Sequence, residues 1–304
     1  MIPDLEILDY KNTKIELKIK NIHYTVLNAL RRILLSEIPT IAIHKIVFEE
    51  YSCCMNEDML AHRIALVPLI ASDNTIEKTP YQKDCDCRHG GCEKCEFEFS
   101  LDVCNTEEDS EILNVHCKDL KSESFDIKPL RYEENNHGIL LCRLHNFEKI
   151  KLKAKAIKGI GKNHEKWSPV TVCFFKKEED DNYIFQLECN DNVSSLDIFK
   201  KSFRILENKL LSLKKNLKFY KQNNNNFLFP YCDTVMAPLL QHILENFKTR
   251  LCYYKRGHFL KDTSSEFFID SENDDNVNQY IYQSLNILIS NINLLENKLV
   301  KFYT

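Results

Sequence analysis

Four cysteines within one short loop carry the clearest chemistry in this chain. Cys85-Asp86-Cys87-Arg88-His89-Gly90-Gly91-Cys92-Glu93-Lys94-Cys95 sets a C-x-C pair and a C-x-x-C pair on either side of Gly90 and Gly91. A tetrahedral Zn²⁺ with bonds of ~2.3 Å needs four thiolates in one small volume, and two close pairs joined by a glycine turn gather them at low loop-closure cost. The first pair is tighter than the common C-x-x-C knuckle, and His89 could replace one sulfur. Two other readings stay open on spacing alone: a redox dithiol at Cys92 and Cys95, and a cysteine-rich loop with no ligand. Structural zinc is the expectation, and a closed four-ligand set implies no metal catalysis. The chain has 13 cysteines. That odd number, with Cys104, Cys142, Cys173, Cys189 and Cys252 standing singly in strand-like or helical patterns, points to reduced and largely buried thiols.

Two basic clusters come next. In Asn28-Ala29-Leu30-Arg31-Arg32-Ile33-Leu34-Leu35-Ser36-Glu37-Ile38-Pro39, Leu30, Ile33 and Leu34 join Leu27 on one helical face, with Arg31 and Arg32 projecting from its border. Pro39 disfavours helical geometry at Ile38 and stops the element. Between Lys151 and Lys166 lysines accumulate, but Lys151, Lys153 and Lys155 alternate with Leu152, Ala154 and Ala156, the pattern of a half-buried strand rather than a nucleic-acid patch. Trp167 ahead of the rigid Ser168-Pro169 turn reads as an anchor for a partner.

Composition narrows the function. At 304 residues, 43% hydrophobic and 28% charged, the chain is long enough for about two globular domains. A net charge of −4 lacks the concentrated basic field of a protein that grips nucleic acid by itself. No window approaches the ~18 apolar residues of a membrane span, and residues 1–6 carry neither a basic leader nor an apolar core. No membrane partner is therefore expected. Six glycines leave little room for phosphate-cradling loops, and neither a metal-binding aspartate motif nor a nucleophile elbow stands out.

The elements that must position these residues can be read from periodicity. Ile7 to Tyr10 and Ile15 to Ile19 form a hairpin around Lys11-Asn12-Thr13, leading into the arginine helix at Asn21. Ile41 to Phe48 reads as a strand, followed by a short helix capped at Asn56. Further strands are expected at Phe97 to Cys104 and Ile112 to His116. Leu196, Phe199, Phe203, Leu206, Leu210, Leu213 and Leu217 recur at steps of three and four, the seam of a long helix packed on another, with Ser194 and Asp197 as its capping box. Asn223 to Asn226 reads as a linker. Beyond it come a strand at Phe227 to Phe229, a helix from Asp233 to about Phe247, strands at Leu251 to Tyr254 and Glu266 to Ile269, and a final helix carrying Val277, Ile281, Leu285, Leu288, Ile292, Leu295, Leu299 and Phe302 on one face.

The Asn28 to Pro39 run closely resembles the first helix of the assembly subunits of multisubunit RNA polymerases: bacterial α, archaeal D and the third-largest subunit of eukaryotic RNA polymerase II. Asp58, His62, Arg63 and Pro68 stand on matching positions of the next family segment. The eukaryotic third subunits carry a zinc loop with the same cysteine pairs at this place, and Lys158 to Pro169 follows their K-G-x-x-K-x-H-x-K-W-S-P run. The resemblance implies a non-catalytic platform of a DNA-directed RNA polymerase that docks the two large catalytic subunits and small adaptor subunits, meeting DNA only through the complex. It implies subunit contacts at Arg31, Arg32, Arg63, Lys166 and Trp167. The opposed reading is a free-standing zinc protein that binds nucleic acid or does redox chemistry.

The second half echoes the first. A slide of 210 residues (238 minus 28) sets Leu30-Arg31-Arg32-Ile33-Leu34 over Leu240-Gln241-His242-Ile243-Leu244, keeping hydrophobicity but not the arginines. Residues 227–304 resemble the small partner of the assembly subunit, archaeal L or the eleventh polymerase II subunit, with its Asp-x-Thr-Leu-Gly-Asn motif replaced by Asp233-Thr234-Val235-Met236-Ala237-Pro238. Fused pairs of this kind occur in large nucleocytoplasmic DNA viruses. That implies a viral protein of the cytoplasmic factory or virion, or alternatively a nuclear one, that needs no separate small partner. The expected fold is α+β. Residues 1–50 with 179–222, and residues 227–304, would form two dimerisation units paired within one chain, joined by a linker at 223–226. A zinc-bearing insert at 51–178 would interrupt the first. Leu30, Leu34, Phe203, Leu206, Leu210, Leu240, Leu244, Leu288 and Leu295 would line the intrachain interface.

Overall fold

The structure is a computed structural model that describes residues 2–87, 91–106, 112–130, 138–178, 182–190, 193–221, 225–230, 233–256, 264–271 and 277–301. It divides into two compact units: Met1–Leu35 with Val170–Glu188 and Ser194–Thr304, and Ser36–Pro169 with Cys189–Val193. Residues 36–50 and 189–193 thus fall in the second unit and 170–178 in the first, whereas the sequence placed the insert at 51–178. The reason is that Pro39–Tyr51 is one continuous strand, paired along its length with a strand of the insert.

In chain order, the first unit opens with strands β1 (Asp4–Lys11) and β2 (Lys14–Lys20) and helix α1 (Tyr24–Ser36). The second unit contains β3 (Pro39–Tyr51), α2 (Glu57–Ala65), β4 (Leu69–Ala71), α3 (Asp73–Lys78), β5 (Glu96–Cys104), β6 (Leu113–His116), β7 (Lys121–Ser122), β8 (Ile127–Pro129), β9 (Leu140–Leu144) and β10 (Lys149–Ile160). The chain returns to the first unit through β11 (Val170–Lys177), β12 (Tyr183–Cys189) and α4 (Ser195–Tyr220). It continues with β13 (Asn226–Pro230), α5 (Asp233–Asn246), β14 (Thr249–Arg256), β15 (Ser264–Ser271) and α6 (Val277–Lys301).

The first unit holds a sheet of order β1-β2-β12-β11 and another of order β13-β15-β14. Strand β2 alternates strictly, so Ile15, Leu17 and Ile19 share one fully buried face. Asn21 has a φ of 58°, which ends the hairpin and keeps it out of the helix. Helix α1 therefore starts at Tyr24, three residues later than expected, with His23 accepting from the Thr25 N–H through Nδ1. Leu27, Leu30, Ile33 and Leu34 are all buried. On α4, Phe199 stands edge-on against Phe185 of β12, with ring centroids 5.3 Å apart. All seven seam residues from Leu196 to Leu217 are buried, each stabilising the helix by about 1.5–3 kcal/mol relative to exposure.

Helices α4 and α6 pack on each other, and α6 also meets α5 and β1. Polar bonds flank the seam: Arg204 Nε to Glu296 Oε1 at 3.1 Å and Asn293 Nδ2 to Glu207 Oε1 at 2.9 Å. Leu288 and Leu295 are buried as expected, while Phe302 and Asn223–Asn224 lie outside the described residues.

Two expectations here are corrected. On α5 the buried face is Val235, Met236, Leu239 and Ile243, while Leu240 is only partly covered and Leu244 is 46% exposed. Buried positions superpose when Leu27, Leu30 and Leu34 are set over Met236, Leu239 and Ile243, one residue short of the 210-residue slide. The capping box at α4 also does not form: the Ser194 hydroxyl makes no hydrogen bond among the described residues, and the Ser195 N–H donates instead to the Asn12 carbonyl at 2.8 Å.

The second unit is built on the sheet β3-β10-β5-β7, with small two-stranded pairs β4-β8 and β6-β9 beside it. Strand β10 is central and antiparallel to both β3 and β5. Leu152, Ala154 and Ala156 are buried in one core with Ile43, Phe99, Leu101, Leu60 and Ile64. Asn56 caps α2 as the sequence predicts, accepting from the Asp58 N–H at 2.8 Å.

Candidate functional site

The four cysteines come together. Sγ separations are 3.6 Å for Cys85–Cys92, 3.7 Å for Cys87–Cys95 and 3.7 Å for Cys92–Cys95, and all four lie within 4.8 Å of one another. A tetrahedron with metal–sulfur bonds of ~2.3 Å has edges of roughly 3.8 Å, so the donor set fits a closed four-thiolate metal site. A redox dithiol would need only Cys92 and Cys95; the convergence of Cys85 and Cys87 is what a cation requires. His89 lies outside the described residues.

Local structure explains the convergence. A single 3-10 turn at Gln82–Asp84 delivers Cys85. The N–H groups of Cys95 and Glu96 both donate to the Cys92 carbonyl, at 3.0 and 2.9 Å, folding the C-x-x-C pair back as β5 begins. Gly91 has a φ of 83°, and a β-carbon there would overlap the Glu96 carboxylate. The backbone N–H of Lys94 draws the Cys92 thiol down to about 7, while burial pushes Cys95 up to about 12. Four thiols so close together cannot all ionise unaided; a bound cation would supply the charge that deprotonates them.

Glu96 is the support that sequence reasoning missed. It is 5% exposed, accepts from Gln82 Nε2 at 2.8 Å and Lys155 Nζ at 2.9 Å, and lies 3.5 Å from Lys45 Nζ. Burial alone would raise its pKa, but Lys155 and Lys45 outweigh that and hold it below the ordinary value. The cysteine loop is thereby tied to three strands. No periodic signal in the sequence marks it, because its partners stand on other strands and in the loop.

Three more lysines of β10 are also matched by acids. Lys151 and Lys153 reach the two oxygens of Glu49 at 3.1 and 2.9 Å, and Lys149 pairs with Glu50 at 2.9 Å. This face is a lysine–glutamate ladder across β10 and β3, as its alternation predicts, with no net basic patch.

Trp167 faces inward, contrary to its reading as a projecting anchor. It is 5% exposed, its Nε1 donates to the Ile157 carbonyl at 3.1 Å, and its own carbonyl accepts from Thr40 Oγ1 at 2.6 Å. Gly159 makes room: a β-carbon there would lie 2.7 Å from Nε1 and closer still to the ring carbons. Lys166 Nζ donates to the Ile43 carbonyl at 2.8 Å, meets His44 Nδ1 at 3.0 Å and stands 4.5 Å from the indole centroid. Burial lowers the pKa of Lys166. A contact role for this segment rests on the residues around the buried indole, since the physical reason for its rotamer is the Gly159 pocket.

The arginines differ from one another. Among the described residues Arg31 bonds locally, through Nε and a terminal nitrogen to Asn28 Oδ1 at 3.2 and 3.1 Å. Arg32 is half-buried. Arg63 uses its guanidinium internally, donating to the carbonyls of Leu141 at 2.9 Å and Leu140 at 2.8 Å, which pins α2 to β9.

The RNA polymerase Rpb3/Rpb11 dimerisation domain profile matches residues 16–210. The chain belongs to this family. The match runs from Glu16 in β2 to Leu210 in α4 and so covers the second unit whole, together with α1 and much of the first sheet. The chain is 36% identical over 178 residues to DNA-directed RNA polymerase II subunit rpb3 of Dictyostelium discoideum, covering 57% of each protein. It is 33% identical over 189 residues to DNA-directed RNA polymerases II, IV and V subunit 3 of Arabidopsis thaliana, covering 59% of this chain and 58% of that one. It is also 33% identical over 174 residues to subunit Rpo3 of Methanosphaera stadtmanae, covering 57% of this chain and 60% of the archaeal one. The chain thus spans less than two thirds of the length of these relatives. Among the described residues of this family member, no helix is long and apolar enough to cross a membrane.

Proposed function

We propose that the chain is the non-catalytic assembly platform of a DNA-directed RNA polymerase, docking the two large catalytic subunits and small adaptor subunits and meeting DNA only through the complex. One observation carries this reading: the profile of the Rpb3/Rpb11 dimerisation domain matches residues 16–210. The packing of α4 on α6 within one compact unit supports a further step. In this reading residues 227–304 are the small partner, fused in sequence, and pair with the first dimerisation unit as a pseudo-dimer, so that no separate partner subunit is needed. Tethering raises the effective concentration of the two halves to roughly millimolar.

The ion of the four-cysteine loop is structural Zn²⁺, held by Cys85, Cys87, Cys92 and Cys95; it would cross-link the loop and leave no position for substrate. Arg31 and Arg32 on α1 are the foremost contacts to a large subunit, with Lys166 and the segment around Trp167 as a second contact and Arg63 a positioning residue for α2. The fused arrangement fits a viral polymerase working in a cytoplasmic factory, with a nuclear complex as the alternative location.

Affinity purification of the tagged chain from its native source tests the reading. Co-purification of two large polymerase subunits in equimolar amount is expected. Recovery as a stable monomer free of them would overturn it.

A further inference from the structure

We infer that Cys53, Cys54 and Glu148 form a second cation site in the second unit, suited to a thiophilic divalent ion of the zinc class and separate from the four-cysteine loop. The two Sγ atoms and a carboxylate oxygen of Glu148 all lie within 4.8 Å of one another. Adjacent side chains in a regular strand point to opposite faces and cannot share a ligand. Here residues 52–55 have left β3, and both cysteines turn to the same carboxylate.

The surrounding backbone holds this arrangement in place. Ser52 is clamped to Lys149 by three bonds, its N–H and hydroxyl donating to the Lys149 carbonyl at 3.0 and 3.3 Å and its hydroxyl accepting from the Lys149 N–H at 2.7 Å. That clamp sets Cys53 and Cys54 beside Glu148. Glu148 is fixed in turn: its Oε2 accepts from the His145 N–H at 2.8 Å, its own N–H donates to the His145 carbonyl at 3.1 Å, and its carbonyl accepts from the Asn105 N–H at 3.0 Å. The supporting hydrogen bond to one carboxylate oxygen leaves the other for a ligand, the outer-shell arrangement that orients metal-binding carboxylates. Cys53 Sγ lies 3.8 Å from the Arg143 carbonyl, half-buried, while Cys54 is exposed and opens the site to solvent.

The donor set selects the ion. Two thiolates favour Zn²⁺ and its soft congeners over Mg²⁺ or Ca²⁺, and one carboxylate is compatible with tetrahedral zinc. Three protein donors leave the fourth position to water. Compared with the closed loop, fewer thiolates and greater exposure make this the weaker site.

Cobalt titration of the full-length, metal-free chain under reducing conditions tests the inference, because thiolate-to-cobalt charge-transfer bands report sulfur ligation. The wild-type chain should take up two equivalents of Co²⁺, the second bound more weakly. Cys53→Ser/Cys54→Ser should take up one, with the bands of the tight site retained. Glu148→Gln, which keeps both thiols and the shape of the side chain, should weaken the second equivalent by at least the roughly tenfold that loss of a supporting partner alone costs. A wild-type chain that binds a single equivalent overturns the inference. So does a double-serine variant that still binds two, or a Glu148→Gln variant with unchanged affinity.

Discussion

Replacing Gly159 by alanine is the direct test of Trp167 as an internal anchor. The added methyl would lie 2.7 Å from the indole Nε1 and closer to the ring carbons, well inside van der Waals contact. The ring has no cheap escape, because its N–H is committed to the Ile157 carbonyl and its face to the Lys166 ammonium. Overpacking of this kind costs about 1–3 kcal/mol, and each kcal/mol lowers the midpoint of a unit of this size by roughly 2–4 °C. A fall of about 2–12 °C is therefore expected. Trp167 is the single tryptophan of the chain, so its fluorescence follows the second unit alone during thermal unfolding. Circular dichroism supplies the cycle with Trp167→Leu. That change should itself cost less than the about 3–5 kcal/mol of a full truncation to alanine, and it removes the clash, so the double variant should be more stable than the sum of the singles by about 1 kcal/mol or more. Wild-type stability in Gly159→Ala, or strict additivity in the cycle, would refute the packing argument.

Other outcomes follow from the same geometry. Cys85→Ser should lose the one metal equivalent of the four-cysteine loop, exhaustive chelation should empty that loop as well, and either should lower the fluorescence-detected midpoint of the second unit; unchanged metal content in Cys85→Ser would count against the four-thiolate site. Glu96 has its pKa held below the ordinary 4.5, so its stabilising contribution is full above pH 4.5 and is lost as pH falls through the lower folded value. Glu96→Gln should accordingly flatten the acid limb of the stability profile measured by denaturant titration, and an unchanged limb would remove Glu96 as the support of the loop. Arg31→Ala gives up a local bond to Asn28 worth about 0.5–1.5 kcal/mol, so the chain should stay folded while recovery of large polymerase subunits in pull-downs falls; full recovery would mean that Arg31 makes no essential contact.

Much of the second unit was legible because its signals are short-ranged. The β10 alternation, the Asn56 cap and the four-cysteine spacing each depend on neighbours within one element or loop: the strand alternates, the cap forms and the four thiols converge. The seams of α4 and α6 were legible for the same reason. What sequence could not supply was direction set from afar. Trp167 turns inward because of Gly159 and Thr40, residues brought near by the β3–β10 pairing. The α5 face was misplaced by one residue because apolar side chains stand on more than one side of that helix, and only its packing partners choose between Leu239 and Leu240. The Ser194–Asp197 pattern lost to a tertiary bond from the Ser195 N–H. Glu96 and the Cys53–Cys54–Glu148 cluster had no periodic signature at all, since each unites residues on separate strands and loops.

Lys298 on α6 donates to the Pro3 carbonyl at 3.2 Å and to Asp4, the first residue of β1, and this has a consequence for synthesis. Strand β1 emerges from the ribosome early and α6 late. At 5–20 residues per second the interval between residues 35 and 301 is roughly 13–50 s. Throughout it, the apolar face of α1 waits for the later segments of its unit, and β1 for α6. The second unit, drawn mainly from Ser36–Pro169, has most of its chain in hand much sooner and can close around its cysteine loop in the meantime. Nascent chains should therefore pass through a state with a finished insert carried on an unfinished host, and chaperone engagement should concentrate on α1 until α6 has been made.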